Sequence, residues 1–234
     1  MFPLALLNQS SPAVDPTLTL ALLHFEGADG STVFTDSVSN YTIQNNSAQV
    51  SSFELKNLFT SSGFFNNSGT SPFRSIQTVE NFADLRSKDF TAECLIYQTA
   101  RHFSESGLFN CSTITTTRTL FGAYIDTSGV IKSNVFDSVI AHQTVLNLNQ
   151  TYHIALVRKN NSFNLYVDGV KSTQTVTVLQ SYIDSNYSNV GQLHLGCIST
   201  GSASHFTGYI DEFRASEGAV YTSNFTPPTS AFTY

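Results

Sequence analysis

The sequence predicts an all-β chain folded as a sandwich of two antiparallel sheets, and three observations carry that prediction. Windows with apolar residues at i, i+3, i+4 and i+7 are almost absent, whereas short β-branched or aromatic runs bounded by turn residues recur throughout. Ten such runs can be placed along the 234 residues, more than a single sheet with one buried face accommodates, so two packed sheets follow. The polar positions are filled by 31 Ser, 27 Thr and 18 Asn, while only 12% of residues are charged. Hydroxyls and amides therefore solvate the outward positions and turns, and an apolar content of 41% excludes disorder.

In chain order, residues 1–16 come first and differ from the rest. Pro3, Pro12 and Pro16 break any regular ladder, and Leu4-Ala-Leu-Leu7 is too short to stand alone. The segment reads as an arm that either covers an open sheet edge or docks on a partner subunit or larger assembly. One domain then runs over 17–234, since no repeat, heptad or charged tail interrupts it. Strands are expected at 18–25, 73–79, 90–97, 120–125 and 130–136. The last two are joined by Tyr124-Ile-Asp-Thr-Ser-Gly-Val130, where Gly129 closes the turn in the left-handed region. The Ser- and Asn-rich stretches 45–52 and 60–71 read as surface loops. Further strands are expected at 152–158, 163–167, 170–178, 192–197 and 206–214. Along 152–158, Tyr152, Ile154 and Leu156 face one side and His153, Ala155 and Val157 the other, so this strand belongs inside its sheet. Lys159-Asn160-Asn161 turns into the next strand, and Asp168-Gly169 supplies the two positive-φ positions of a type I′ hairpin. A meander over 152–178 results.

Charge and special residues narrow the function. The net charge of -6, from 11 Lys and Arg against 17 Asp and Glu, leaves no basic face for phosphates and excludes a nucleic-acid binder. No run approaches the roughly 18 apolar residues of a membrane span, so membrane insertion is not expected. Residues 1–7 lack the basic flank and length of a secretory signal. Cys94, Cys111 and Cys197 are an odd number without CxxC spacing and are expected as buried free thiols. The nine Asn-x-Ser/Thr sequons, at Asn8, Asn40, Asn45, Asn66, Asn110, Asn149, Asn160, Asn186 and Asn224, follow by chance from so much Asn, Ser and Thr.

Four segments, in order, carry a family resemblance. They are Leu22-Leu-His-Phe-Glu-Gly27, Asp89-Phe-Thr-Ala-Glu-Cys-Leu-Ile96, the pair Tyr152-His-Ile-Ala-Leu-Val-Arg158 and Phe163-Asn-Leu-Tyr-Val-Asp-Gly-Val170, and Phe206-Thr-Gly-Tyr-Ile-Asp-Glu-Phe-Arg214. Together they resemble the concanavalin A-like lectin/glucanase domains of laminin G type. The resemblance spans nearly all of 18–232 and implies a jelly-roll β-sandwich. The ending Val220-Tyr-Thr-Ser-Asn-Phe-Thr-Pro-Pro228 resembles the close of such domains in tailed-phage structural proteins. That resemblance implies location in the virion, other virion proteins of capsid or tail as partners, and homo-oligomers matched to virion symmetry. One departure is the family tryptophan: the strand reads Cys94-Leu-Ile and the chain has no Trp, so a tryptophan sugar platform is not expected.

The same jelly roll also hosts glycosidases and lyases, so chemistry must be read from residues. The Glu-x-Asp-x-x-Glu arrangement that places two carboxylates about a glycosidic bond is missing. Asp211 and Glu212 are adjacent, and adjacent strand residues are expected on opposite faces. Glu26 and Glu93 occupy strand positions where the family has structural carboxylates. His153 and His194 lie in strands outside any lyase motif, and Cys94 has no arrangement that marks a nucleophile. No catalytic residue is assigned and no enzyme activity is expected. The resemblance allows a single calcium ion as the one cofactor, with Asp126, Asp137 and Asp184 as loop candidates, each more simply a turn former. Two readings remain: a capsid decoration or head protein displaying a lectin-like domain, and a tail-fibre module adhering to host cell-surface polysaccharide, for which Tyr and Asn supply stacking and hydrogen-bonding groups.

Overall fold

The computed structural model describes residues 18–55, 60–66, 74–114, 118–198 and 204–233, so the arm at 1–16 lies outside the described residues. In chain order the strands are β1 (Thr19–Leu23), β2 (Ile43–Asn46), β3 (Gln49–Ser51), β4 (Ser62–Phe65), β5 (Ser75–Thr78), β6 (Phe90–Gln98), β7 (Ser106–Ser112), β8 (Thr119–Ile125), β9 (Val130–Val135) and β10 (Ser138–Val145). They continue with β11 (Thr151–Lys159), β12 (Ser162–Val167), β13 (Val170–Lys171), β14 (Val176–Thr177), β15 (Leu193–Leu195) and β16 (Gly208–Glu217), and helix α1 (Gln180–Asn186) sits between β14 and β15.

Two antiparallel sheets face each other, as expected from the strand count. Sheet A runs β13-β12-β11-β6-β16-β4-β3, with β14 also on β12. The ten-residue β16 lies beside β6 on one flank, and on the other it pairs with β4 through Gly208–Ile210 and with β1 through Phe213–Ser216. Sheet B runs β10-β9-β8-β7-β15-β5-β2. The core between them is aromatic and aliphatic: Phe90, Phe109, Phe121, Phe163 and Phe213 are fully buried, with Ile154, Leu156, Ile210 and Leu195 around them. Phe90 and Phe121, from opposite sheets, have ring centroids 4.8 Å apart.

The meander forms as expected. β11 pairs with both β6 and β12, and its second face is covered as well. Asp168 and Gly169 take φ of 46° and 75°, and Gly129 takes 89°. The stretches read as loops contain β3 and β4, since Gly63 and Phe64-Phe65 pair with β16 although Ser and Asn surround them. The expected strand 170–178 is broken into β13 and β14, because Ser172 turns inward to donate to the Gln174 carbonyl at 2.6 Å. Strands β2, β7 and β10 and helix α1 were not predicted. β7 carries Asn110 and Ser112 on outward positions and β10 carries Gln143 outward and the buried His142 inward beside Ile140, which masks the alternation.

Edge strand β10 is capped by side chains. The Gln174 amide accepts from the Ala141 N–H at 2.9 Å and donates to the Val139 carbonyl at 3.4 Å, imitating a neighbouring strand. Both groups would otherwise offer an open ladder.

Candidate functional site

On the outer face of sheet A, Glu93 (β6), His153 (β11) and Arg214 (β16) come together, all at most 1% exposed. Glu93 Oε1 accepts from Arg214 Nε at 2.9 Å and Nη2 at 2.7 Å, and Oε2 accepts from the Tyr221 hydroxyl at 2.9 Å and meets His153 Nε2 at 2.9 Å. Burial pushes the Glu93 carboxyl up, but the Arg214 charge with the His153 contact and the hydrogen bonds outweighs it and holds the group below the ordinary range. The segment after β16 closes this network from above. Tyr221 and Phe225 stack at 3.6 Å and 6°, Phe232 lies 4.5 Å from the Arg214 guanidinium, and Arg214 Nη1 donates to the Thr233 carbonyl. The tip of the β12–β13 hairpin completes the closure, since Phe225 N donates to the Gly169 carbonyl at 3.0 Å and Lys171 N to Asn224 Oδ1 at 2.9 Å. A Cβ at Gly169 would lie 1.9 Å from the Phe225 carbonyl oxygen, so only glycine fits there. The two most recognisable motifs of the sequence, Leu-Tyr-Val-Asp-Gly and the Tyr-Thr-Ser-Asn-Phe ending, are thus halves of one contact.

Asp211 and Glu212 correct the expectation of opposite faces. A β-bulge falls between Asp211 and Arg214, with Glu212 in the left-handed region at φ 49°. Strand parity shifts there: Ile210, Phe213 and Ala215 all enter the core. Glu212 reaches the covering segment, accepting from Phe232 N at 2.6 Å, and its other oxygen meets His24 Nδ1 at 2.6 Å, which raises the imidazole above its ordinary value. Asp211 is fully buried and its Oδ2 has no hydrogen-bond partner; burial first, and the Glu212 charge second, push it up to about 9. Glu26 accepts from the hydroxyls of Thr60 and Ser61.

The calcium candidates are not brought together. Asp126 caps its own turn, accepting from the Ser128 and Val130 amides at 2.9 Å, and pairs with Lys132. Asp137 is bound by Arg118 and the Tyr182 hydroxyl, and Asp184 accepts from Gln180. Six to eight converging oxygens are what calcium takes, and these three carboxylates sit on separate elements with protein donors on each, so they do not fit a calcium site. Among the described residues there is no group of three or more His, Cys, Asp or Glu able to hold a metal. All three cysteines are buried and free, and burial raises each thiol, Cys197 to about 11.

The other outward surface, that of sheet B, carries a feature that sequence reading missed. Register aligns Gln44 with Gln77, Gln77 with His194, His194 with Asn110, Asn110 with Gly122, Gly122 with Asn134, and Asn134 with Val139. One unbroken row thus crosses all seven strands, about 29 Å at a strand spacing of about 4.8 Å. Its ends are exposed and its middle is sunken, with His194 at 6% and Asn110 at 3%. Glycine is required at its centre, because a Cβ on Gly122 would lie 2.6 Å from Asn110 Oδ1. Burial lowers the His194 imidazole below its usual value, so the row is neutral at pH 7, with amide donors and acceptors on Gln44, Gln77, Asn110 and Asn134 and the apolar Val139 at one end. The three central members sit between core residues: His194 between Leu193 and Leu195, Asn110 between Phe109 and Cys111, and Gly122 between Phe121 and Ala123. That alternation is the signal in the sequence, but the register that joins seven strands is not.

Residues 68–223 match the family model described as the concanavalin A-like lectin/glucanases superfamily. No curated protein matches the sequence. Among solved structures, Trypanosoma rangeli sialidase superposes with a TM-score of 0.65 at 13% identity over 91% of this chain, which spans only 34% of that enzyme. The binding domain of botulinum neurotoxin serotype D gives 0.59 at 13% identity, covering 87% of this chain and 49% of that one. Domain 4 of AbnA, an extracellular arabinanase from Geobacillus stearothermophilus solved in complex with arabinotriose, gives 0.58 at 16% identity, covering 87% of this chain and 94% of that domain. At such identities these likenesses speak for the fold alone. With the two-sheet sandwich and a family match over most of its length, the chain belongs to the concanavalin A-like lectin/glucanases superfamily.

Proposed function

We propose that this chain is a non-enzymatic structural protein of a tailed-phage virion, displaying a lectin-like domain as a capsid decoration or head protein in symmetry-matched homo-oligomers. The observation that carries the reading is the closing segment, whose sequence resembles the endings of such domains in phage structural proteins. Here that segment is the lid over the Glu93–Arg214 network, so the resemblance falls on residues the fold depends on. The non-enzymatic part rests on how the strand carboxylates and His153 are used: Glu93, Glu212 and His153 are buried and bonded to protein partners. Mass spectrometry of purified virions is expected to find the protein at a fixed copy number relative to the major capsid protein. Its absence from virions would overturn the proposal.

A second reading, adhesion to host surface polysaccharide from a tail fibre, is favoured by the row on sheet B. A sunken, neutral line of Gln, Asn and His crossing the sheet suits an extended chain of sugar hydroxyls, and the arabinotriose-bound neighbour is consistent with a saccharide-binding use of the fold. A glycan array probed with the purified protein, followed by Asn110→Leu, tests it: binding that this change abolishes supports adhesion through the row.

A further inference from the structure

A cavity of about 290 Å³ opens at the rim where the β9–β10 turn meets β14 and the start of α1. It lies beside the end of the row, because its lining residue Ser138 immediately precedes Val139. One wall is apolar, from Val178 and Leu179, the latter 66% exposed. The opposite side is polar: the Asp137 carboxylate, pinned by Arg118 and by the Tyr182 hydroxyl at 2.9 Å, stands with the hydroxyl-bearing Ser138 and Thr177.

The turn that presents Asp137 is an unusual one. Phe136 and Asp137 take φ of 45° and 65°, conformations that Asn-Gly adopts with less strain. Phe136 is kept there because its ring is core, edge-on to Phe163 at 5.9 Å and to Tyr187 at 5.0 Å. The carboxylate is thereby fixed at the mouth on a rigid element. An exposed tyrosine ring beside a leucine, facing a fixed carboxylate, a guanidinium and two hydroxyls, matches the two-sided chemistry of a pyranose, with its C–H face and its ring of hydroxyls. The volume sits at the lower limit of the roughly 300–1,000 Å³ of small-molecule sites, which suits one sugar ring and no more.

We propose that this rim cavity is a single-sugar subsite that holds the end unit of a glycan whose following units lie along the sheet B row. The inference rests on the adhesion reading and extends it to which end of the glycan is recognised. The test is amide chemical-shift titration of the ¹⁵N-labelled protein with glucose, galactose, mannose and N-acetylglucosamine separately, at the tens of millimolar that weak single-ring binding demands. Saturable shifts are expected at Ser138, Thr177, Leu179 and Tyr182 with at least one sugar. Leu179→Asp, at an exposed position that leaves the Asp137 bonds intact, is expected to weaken that binding at least fivefold, and Tyr182→Ala to abolish it. Saturable shifts confined to Asn110, Asn134 and His194 would overturn the subsite and leave adhesion through the row standing. Saturable shifts nowhere, with no glycan-array binder, would overturn both.

Discussion

Replacing Arg214 by Met keeps the stem and removes the cation, and the consequence can be worked from the geometry. Two of the four contacts to Glu93 disappear, together with the charge that offsets its burial and the stacking of Phe232 on the guanidinium. Breaking a fully buried ion pair from one side costs about 3–5 kcal/mol, because the remaining charge stays buried without compensation. For a domain of this size 1 kcal/mol corresponds to about 2–4 °C in Tm, so the melting temperature at pH 7 should fall by about 6–20 °C. The pH dependence supplies a second sign. In the parent, Glu93 is held below its unfolded value, so its contribution is present above the ordinary carboxylate range and is lost as pH falls through the folded value. In Arg214→Met, burial dominates and the folded value lies above the unfolded one, so stability is lost as pH rises from about 4. The gap between the two proteins should therefore widen from pH 4 to pH 7 in differential scanning calorimetry. A fall below about 2 °C, or a gap that does not change with pH, would refute the view that this pair clamps the closing segment.

The remaining predictions concern single positions. Asp211 is raised to about 9 by burial and by Glu212, so folding at pH 7 requires it to take up a proton that the unfolded chain lacks. Asp211→Asn should raise Tm at pH 7, with a gain that grows as pH rises from about 4 to about 9 and then levels, as thermal melts across that range would show. Gly169→Ala drives a methyl against the Phe225 carbonyl at a positive φ and should cost about 1–3 kcal/mol, read as a lower urea midpoint and faster proteolysis after residue 217. Gln174→Ala uncovers the Ala141 and Val139 backbone groups of β10, and light scattering should detect concentration-dependent association absent from the parent.

Much of sheet A was legible because its inner strands are long β-branched and aromatic runs, buried on both faces, that end in turn residues with one conformational solution, as at Asp168-Gly169. The edge strands were not, and the reason is physical. β10 has a solvated face and pairs on one side only, so Gln143 serves there as well as an apolar residue, and its inward face carries the polar His142 beside Ile140. β4 is short and is held by β16, a partner about 150 residues away that no local window contains, and the three-residue β3 pairs with β4 in turn. The bulge at Glu212 escaped notice since a left-handed glutamate carries no sequence mark. Glu93 and His153 were each recognisable as strand residues with structural or packing roles, but their meeting depends on β6–β11 register. The sheet B row is the same lesson on a larger scale, since its seven members come from seven strands.

The placement of β16 also governs how the molecule comes into being. This strand is the common partner of β1, β4 and β6, so Thr19–Leu23 finds its only strand neighbour among the described residues almost 200 residues later in the chain. Sheet A cannot close during synthesis until β16 has left the ribosome, and the loops to be closed are long, which slows the search. Until then the inward faces of β6 and β11, with Phe90, Ile154 and Leu156, have no finished partner sheet to bury against. Completion of sheet A therefore waits on residues 208–217, and a chain broken off before residue 208 is recognisable to chaperones and proteases as incomplete. Assembly built on this domain would admit only copies that carry β16, the strand on which β1, β4 and β6 all depend.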